Sequence, residues 1–272
     1  MNLNSDTSQA TNSVRRSAVL DWLAPLFVFG TVIAVWQLVV WAGKIHPVLL
    51  PSPLAVAKAA WKLKSDLVQA TARTALAAFA GLMLSVVFGT LLAFLFSQSA
   101  LIRRALYPYA VLLQTIPIIA IAPIVIVSFG RGFFSIMLVS CVISLFPIIT
   151  NTTTGLLQID PNLLDLFRLN SATRFQMLFK LRVPSSLPYL ISGIRIASGS
   201  AIVGAIVGEF FVGSGQPGLG AMIQRKSASL DLAELYATVL TSTALGTLIF
   251  AHVTVLGEAI LRRWFAMSLG GR

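Results

Sequence analysis

Asp160-Pro-Asn-Leu-Leu-Asp-Leu-Phe-Arg168, resuming as Arg174-Phe-Gln-Met-Leu-Phe-Lys-Leu-Arg-Val-Pro184-Ser-Ser-Leu-Pro188, separates two long apolar runs. The stretch holds four basic and two acidic residues in a chain that is only 11% charged. Lipid offers such groups neither hydrogen bonds nor counter-charge. It therefore reads as a loop outside the bilayer, organised enough to present a docking surface to a soluble partner.

The chain around it is 57% hydrophobic with a mean hydropathy of +0.87, whereas soluble domains are about 25% charged. A membrane-crossing helix needs roughly 20 mostly apolar residues. Six runs approach that length: Leu23–Ala42, Ala75–Phe96, Ala105–Phe129, Phe133–Ile149, Ile191–Val212 and Leu235–Leu256. The fourth is short, and the fifth contains Arg195 and Glu209. Barrel-strand alternation is absent. The reading is an all-α membrane protein with six transmembrane helices. Residues 1–20 are expected to be a disordered cytoplasmic tail before a retained first span, because that span is too long for the core of an export signal. Residues 21–70 then hold the first span and an outer segment. Residues 71–265 form a five-span core with its loop at 156–188, and 266–272 a C-terminal tail. The single Cys141 excludes an intrachain disulfide and leaves the redox compartment open.

Basic residues flanking the spans set the orientation. With Arg15 and Arg16 inside and six crossings, both termini are cytoplasmic. Arg103-Arg104, the 156–188 loop and Arg262-Arg263 then fall inside as well. Counting Arg195 as inside, the lysines and arginines divide 12 to 8 in favour of the cytoplasm. The net charge of +11 is thus assigned to topology and lipid headgroups, with no nucleic acid as partner. On the outer side, Pro47, Pro51 and Pro53 enforce an extended entry. Ser52 and Pro53 suit an N-cap and a first turn. Val56, Ala60, Leu63 and Leu67 then recur near helical spacing, as an interfacial helix or a short solvated one.

Within the loop, Asp160 suits an N-cap and Pro161 a first helical position. Leu163, Leu166, Phe167 and Leu169 give a short apolar face, and Asn170-Ser171 breaks the pattern. A second helix over Arg174–Leu181 carries Phe175, Leu178 and Phe179 on one side, and Pro184 and Pro188 are expected to end it before the fifth span. Two such helices form a knob that fits a groove in a partner. The alternative is a linker packed against its own bundle.

No Gly-x-x-x-x-Gly-Lys-Ser/Thr loop is present to cradle nucleotide phosphates. Gly213-Ser-Gly-Gln-Pro-Gly218 formally matches Gly-x-Gly-x-x-Gly, but it follows a span and contains Pro217, so an outer turn is expected there. With His46 and His252 the only histidines, no metal cluster is expected. The nucleophile elbow Gly-x-Ser-x-Gly is missing too. The chain reads as a non-enzyme that holds no cofactor and takes its energy from another polypeptide.

A path through the membrane is sought in the fifth span. Ser200, Gly204 and Gly208 form a small-residue stripe that allows close helix approach. Glu209 beside it is costly in lipid. It either faces a path or gate, or lies near the outer interface bonding neighbouring backbone. Gln114 and Thr115 precede Pro117 in the third span, with Pro123 beyond. This is either a gate or solute-contact region, or a packing kink. His252 and Glu258 allow a proton relay or interfacial anchoring.

The run from Asp160 to Pro184-Ser-Ser-Leu-Pro-Tyr-Leu-Ile-Ser-Gly-Ile-Arg-Ile-Ala197 resembles the coupling loop of ATP-binding-cassette importer permeases. Leu50-Pro-Ser-Pro-Leu-Ala-Val56, Gly208-Glu-Phe210 and Pro217-Gly-Leu-Gly-Ala-Met-Ile223 extend the likeness from about Leu20 onward. Together they resemble the nitrate/sulfonate/taurine and thiamine-precursor permease group. The resemblance implies the type I importer permease fold and a location in the bacterial inner membrane. It implies a symmetric pair of permeases, cytoplasmic ATPase subunits that bind the ATP, and an external or periplasmic solute-binding protein. Asp165, Leu166, Phe167, Arg168, Ser171, Arg174, Pro184 and Pro188 would form the coupling loop. Gln114, Thr115, Pro117, Ser200, Gly204 and Glu209 would lie on the path or gate. The match departs from the family where Asp165-Leu166-Phe167 stands for Glu-Ala-Ala and Ser171 for a glycine. The implied solute is small and polar, such as a sulfonate, nitrate or a thiamine-precursor pyrimidine. The alternative from another class is a gradient-driven carrier or channel.

Overall fold

The computed structural model describes residues 4–213 and 218–265. Most of the outer turn expected at Gly213–Gly218, and the C-terminal tail, lie outside these residues. The elements in order are α1 (Asn4–Ala42), α2 (Pro53–Lys62), α3 (Lys64–Gln98), α4 (Ala100–Thr115), α5 (Ile118–Phe129) and α6 (Phe133–Leu157). Then come α7 (Pro161–Leu169), α8 (Arg174–Met177), a π-helical turn (Leu178–Arg182), α9 (Val183–Val212), α10 (Leu219–Ala228) and α11 (Leu232–Phe265). Among the described residues, five helices are long and apolar enough to cross a membrane, or up to six spans if the bent pair α4–α5 counts as one. The helix of α1 begins at Asn4, where the sequence reading puts a disordered tail.

The centre is a three-helix sandwich with α6 between α3 and α9. Glycines bring the backbones together, since without a hydrophobic drive between helices in lipid, association rests on close packing. A Cβ at Gly204 would stand 2.7 Å from the Ser140 Cα, and one at Gly89 would stand 2.8 Å from the Ile148 side chain. Gly81 faces Ser140 from the α3 side just as tightly. Hydrogen bonding joins the packing: the Ser140 hydroxyl donates to the Ala201 carbonyl at 2.8 Å, and the Ser144 and Ser85 hydroxyls stand 3.1 Å apart. A leucine at these glycines would push α6 away.

Contacts fix the helix directions. At one end, Arg182 Nη1 donates to the Ser97 carbonyl at 3.2 Å, and the Tyr189 hydroxyl meets Gln158 Oε1 at 3.2 Å. At the other, Gly208 packs on Ile136 and Glu209 bonds Thr74. α3 and α6 therefore run together toward the first end, called here the loop end, and α9 runs back to the far end. The α4–α5 pair must return the chain from the loop end to the far end.

It does so bent by 101°, so the single span expected over Ala105–Phe129, with its kink at Pro117, is two helices set at a sharp angle. Pro117 holds Ile116 at φ −69°, ψ 126°, extended backbone that a helix cannot include. A second correction concerns Pro184 and Pro188, which end no helix. Arg174–Val212 is one continuous 39-residue helical element. Pro184 sits in the first turn of α9, where its missing N–H is least costly, and the π turn just before it changes the hydrogen-bond spacing. In α2, Ser52 caps as its residue type suggests, accepting from the Ala55 amide at 3.2 Å, and Val56 and Ala59 pack on Ala237 of α11.

Candidate functional site

At the loop end, α7 is a nine-residue helix with no buried residue. Both its ends are nevertheless capped. Asp160 accepts from the Asn162 amide at 2.8 Å. The C-terminus closes as a Schellman motif, with Ala172 N–H on the Phe167 carbonyl and Ser171 N–H on the Arg168 carbonyl. This turn needs a left-handed residue, and Ser171 supplies it at φ +52°. A glycine would do so more cheaply. Thr173 and Gln176 then form a reciprocal capping box that starts α8. The chain thus stiffens the loop from within and leaves most of its apolar side chains exposed.

Those side chains make an apolar ridge. Leu169 is 84% exposed, and Phe175, 71% exposed, packs on Phe179 with ring centroids 4.5 Å apart and planes tilted by 43°. Phe167 is partly buried beside a notch of about 330 Å³ shared with Leu166, Asn170, Ala172, Gln176 and Lys180. Asp165 and Arg168 pair at 3.2 Å in open solvent, where such pairs are worth at most about 1 kcal/mol. Arg174 is exposed, while Pro184 and Pro188 are half-buried at the root of α9. The structure brings Asp165 through Arg174 into one knob and sets the two prolines where the knob joins the long helix.

The far end is built oppositely. Glu209 is 3% exposed. Its Oε2 accepts from the Gly220 amide at 2.9 Å, and the Thr74 hydroxyl lies 2.9 Å from both carboxylate oxygens. Thr74 in turn accepts from the Leu219 amide at 2.9 Å. The carboxylate and the threonine thus hold the N-terminus of α10, whose free amides and dipole favour negative charge. Gly218 and Gly220 permit this approach, since a Cβ at either would collide with Glu209 or the Ile206 carbonyl. The other end of α10 is tied by Lys226, which pairs with buried Glu234 of α11, and Glu234 also meets Lys62 of α2 at 3.1 Å. Thr74 and Glu234 were missed in the sequence; Thr74 lies 135 residues from Glu209, and nothing local marks either as a partner.

The other path candidates separate. Gly204 is buried against α6, and Ser200 is half-exposed on the neighbouring side of α9. Gln114, Thr115 and Pro117 are exposed at the α4–α5 bend. Arg195, which the sequence reading used only for topology, lies on α9 with its guanidinium carbon 5.5 Å from the Phe250 ring centre. His252 faces a separate apolar groove of about 660 Å³ between α3, α9 and α11. Glu258 bonds Arg262 one turn on.

The sequence profile of the binding-protein-dependent transport system inner membrane component matches residues 85–266. The chain belongs to this family. Its members are permease subunits of ATP-binding-cassette importers; they carry no ATPase of their own, and both the ATPase and the binding protein are separate partners. The formylaminopyrimidine transport permease protein ThiX of Halalkalibacterium halodurans is 36% identical over 244 residues, covering 89% of this chain and 96% of its own. The riboflavin transport system permease protein RibX of Chloroflexus aurantiacus is 33% identical, over 85% of this chain and 86% of its own. The putative aliphatic sulfonates transport permease protein SsuC of Bacillus subtilis is 26% identical, over 89% and 87%. A chain of the MetNI methionine ABC transporter, solved in inward-facing conformations, superposes with a TM-score of 0.64 at 19% identity, covering 73% of this permease and 98% of that chain. That likeness supports the type I importer permease fold.

Proposed function

We propose that two copies of this permease form the path for a small polar solute across a bacterial inner membrane, with both termini and the loop end cytoplasmic. An external binding protein delivers the solute at the far end, and the α7–α8 knob of each copy enters a cleft on an ATPase subunit, which binds the ATP. The observation that carries this reading is α7 itself, an amphipathic helix capped at both ends yet without a buried residue. An exposed apolar ridge of that kind marks an interaction surface.

Mechanically, the knob is continuous with α9 through the π turn, so the cleft's closure moves a long lever. Arg182 on Ser97 and Tyr189 on Gln158 pass the displacement to α3 and α6. The solute runs along the exposed α9 side that includes Ser200 and past the α4–α5 bend at Gln114, Thr115 and Pro117. Glu209 and Gly204 hold that wall in place. The solute belongs with the sulfonate, nitrate or thiamine-precursor pyrimidine class, as relatives' names suggest.

The test is co-expression with the ATPase subunit and purification by a tag on the permease. Joint replacement of Asp165, Phe167 and Arg168 by alanine is expected to lose the ATPase while the permease stays folded. ATPase retention with normal ATP-driven uptake would end the docking claim, and uptake in vesicles without ATP would favour a gradient-driven carrier.

A further inference from the structure

α9 carries two charges within its apolar length, and the structure treats them differently. Glu209 has a donor on each side. Arg195, a donor itself, has no acceptor among the described residues: its Nε is buried without a hydrogen-bond partner, and no ion pair includes it. The Phe250 ring stands against the guanidinium, its centre 5.5 Å from the guanidinium carbon. A ring face attracts and orients a cation but does not satisfy its N–H groups.

Arg195 precedes Glu209 by 14 residues, about 21 Å along a helix at 1.5 Å per residue. With Glu209 at the far end, the arginine lies well inside a hydrocarbon layer roughly 30 Å thick. A charge there faces a water-filled cavity or a counter-charge. One turn toward the far end, nothing lies within 4 Å of where a Cβ of Gly199 would be. Val203, a further turn along, is 48% exposed, and Ser192 and Ser200 are half-exposed nearby. Open space at Gly199 thus lies one helical turn from the arginine, with half-exposed hydroxyls on the same helix.

We propose that Arg195 is the solute-contact residue of the path and that its partner is a small oxyanion. The planar fork pairs two N–H groups with two oxygens of one anion, with Phe250 beside it. The proposal rests on the permease reading and narrows its solute class toward sulfonate- or nitrate-like anions. A lipid phosphate shares the same chemistry, so the experiment separates the two.

Gly199→Cys is introduced in a Cys141→Ser background, and the full permease–ATPase complex is reconstituted in vesicles. Reaction rates at the introduced thiol are compared for an anionic and a cationic methanethiosulfonate, each normalised to a free thiol in solution. The anionic reagent is expected to be favoured by about tenfold, the scale on which a charged cleft concentrates counter-ions. Arg195→Gln should abolish the preference, Arg195→Lys should keep most of it, and millimolar nitrate or methanesulfonate should slow the anionic reagent. No reaction with either reagent, or a preference unaltered by Arg195→Gln, overturns the proposal. A preference seen in phosphate-free glycolipid vesicles but lost in phospholipid ones also overturns it, because a headgroup then holds the guanidinium. ATPase retention and ATP-driven uptake on the same preparation test the permease reading separately, since the labelling ratio needs no transport.

Discussion

The two ends of this permease solve opposite problems with the same few devices. At the far end, Glu209, Thr74, Gly218 and Gly220 lock α10 onto α9 and α3, and Glu234 gathers Lys62 and Lys226. Every polar group named there has its partner within the chain. At the loop end, the caps within the chain serve the backbone: Asp160, the Schellman turn and the capping box finish α7 and α8, while Leu166, Leu169, Phe175 and Arg174 stay exposed. A far end saturated in this way can act as a rigid wall. A stiff loop with exposed side chains can act as a plug, because little ordering entropy remains to oppose docking.

The largest expected effect breaks the far end. Glu209→Ala leaves the Gly220 amide and Thr74 hydroxyl without an acceptor in a buried site, at about 3 kcal/mol. A fall in thermal stability of the detergent-solubilised permease checks it, with Glu209→Gln expected to lose less. Transport loss with unchanged stability would instead return Glu209 to the path. Next comes the sandwich that both ends share. Gly204→Val pushes a side chain into the Ser140 backbone and should cost about 1–3 kcal/mol, read by the same melting curve. At the knob, Ser171→Gly relieves the left-handed serine and should stabilise the turn by about 0.5–1 kcal/mol, seen as slower hydrogen exchange at the Ala172 amide. The smallest effect is Asp165→Asn, whose exposed pair with Arg168 should change the melting temperature by less than a degree or two, for a contribution below about 1 kcal/mol. A larger shift would mean that the knob leans on its own bundle after all.

Much of this was legible in the chain. The apolar runs located the spans, and Asp160-Pro161 and Ser52-Pro53 announced helix starts that the structure keeps. The stripe Ser200-Gly204-Gly208 signalled close approach, but only the folded chain shows that Ser140 and Ile136 of α6 are the neighbours. Prolines misled twice. Pro117 marked a kink, yet a bend of 101° depends on how α4 and α5 pack, which no local pattern carries. Pro184 and Pro188 looked like stops because a proline breaks ordinary helix hydrogen bonding. A first-turn position behind a π turn removes most of that cost. Thr74 was invisible because its role exists only after α3 and α9 meet.

Sidedness of the knob tests the account most directly. With Phe175→Cys in the Cys141→Ser background, a membrane-impermeant maleimide is applied to intact cells and to inside-out vesicles. The account predicts labelling only in inside-out vesicles, and protection there once the ATPase subunit is bound. Labelling of intact cells from outside would contradict it, because no cytoplasmic ATPase could reach a knob on that face.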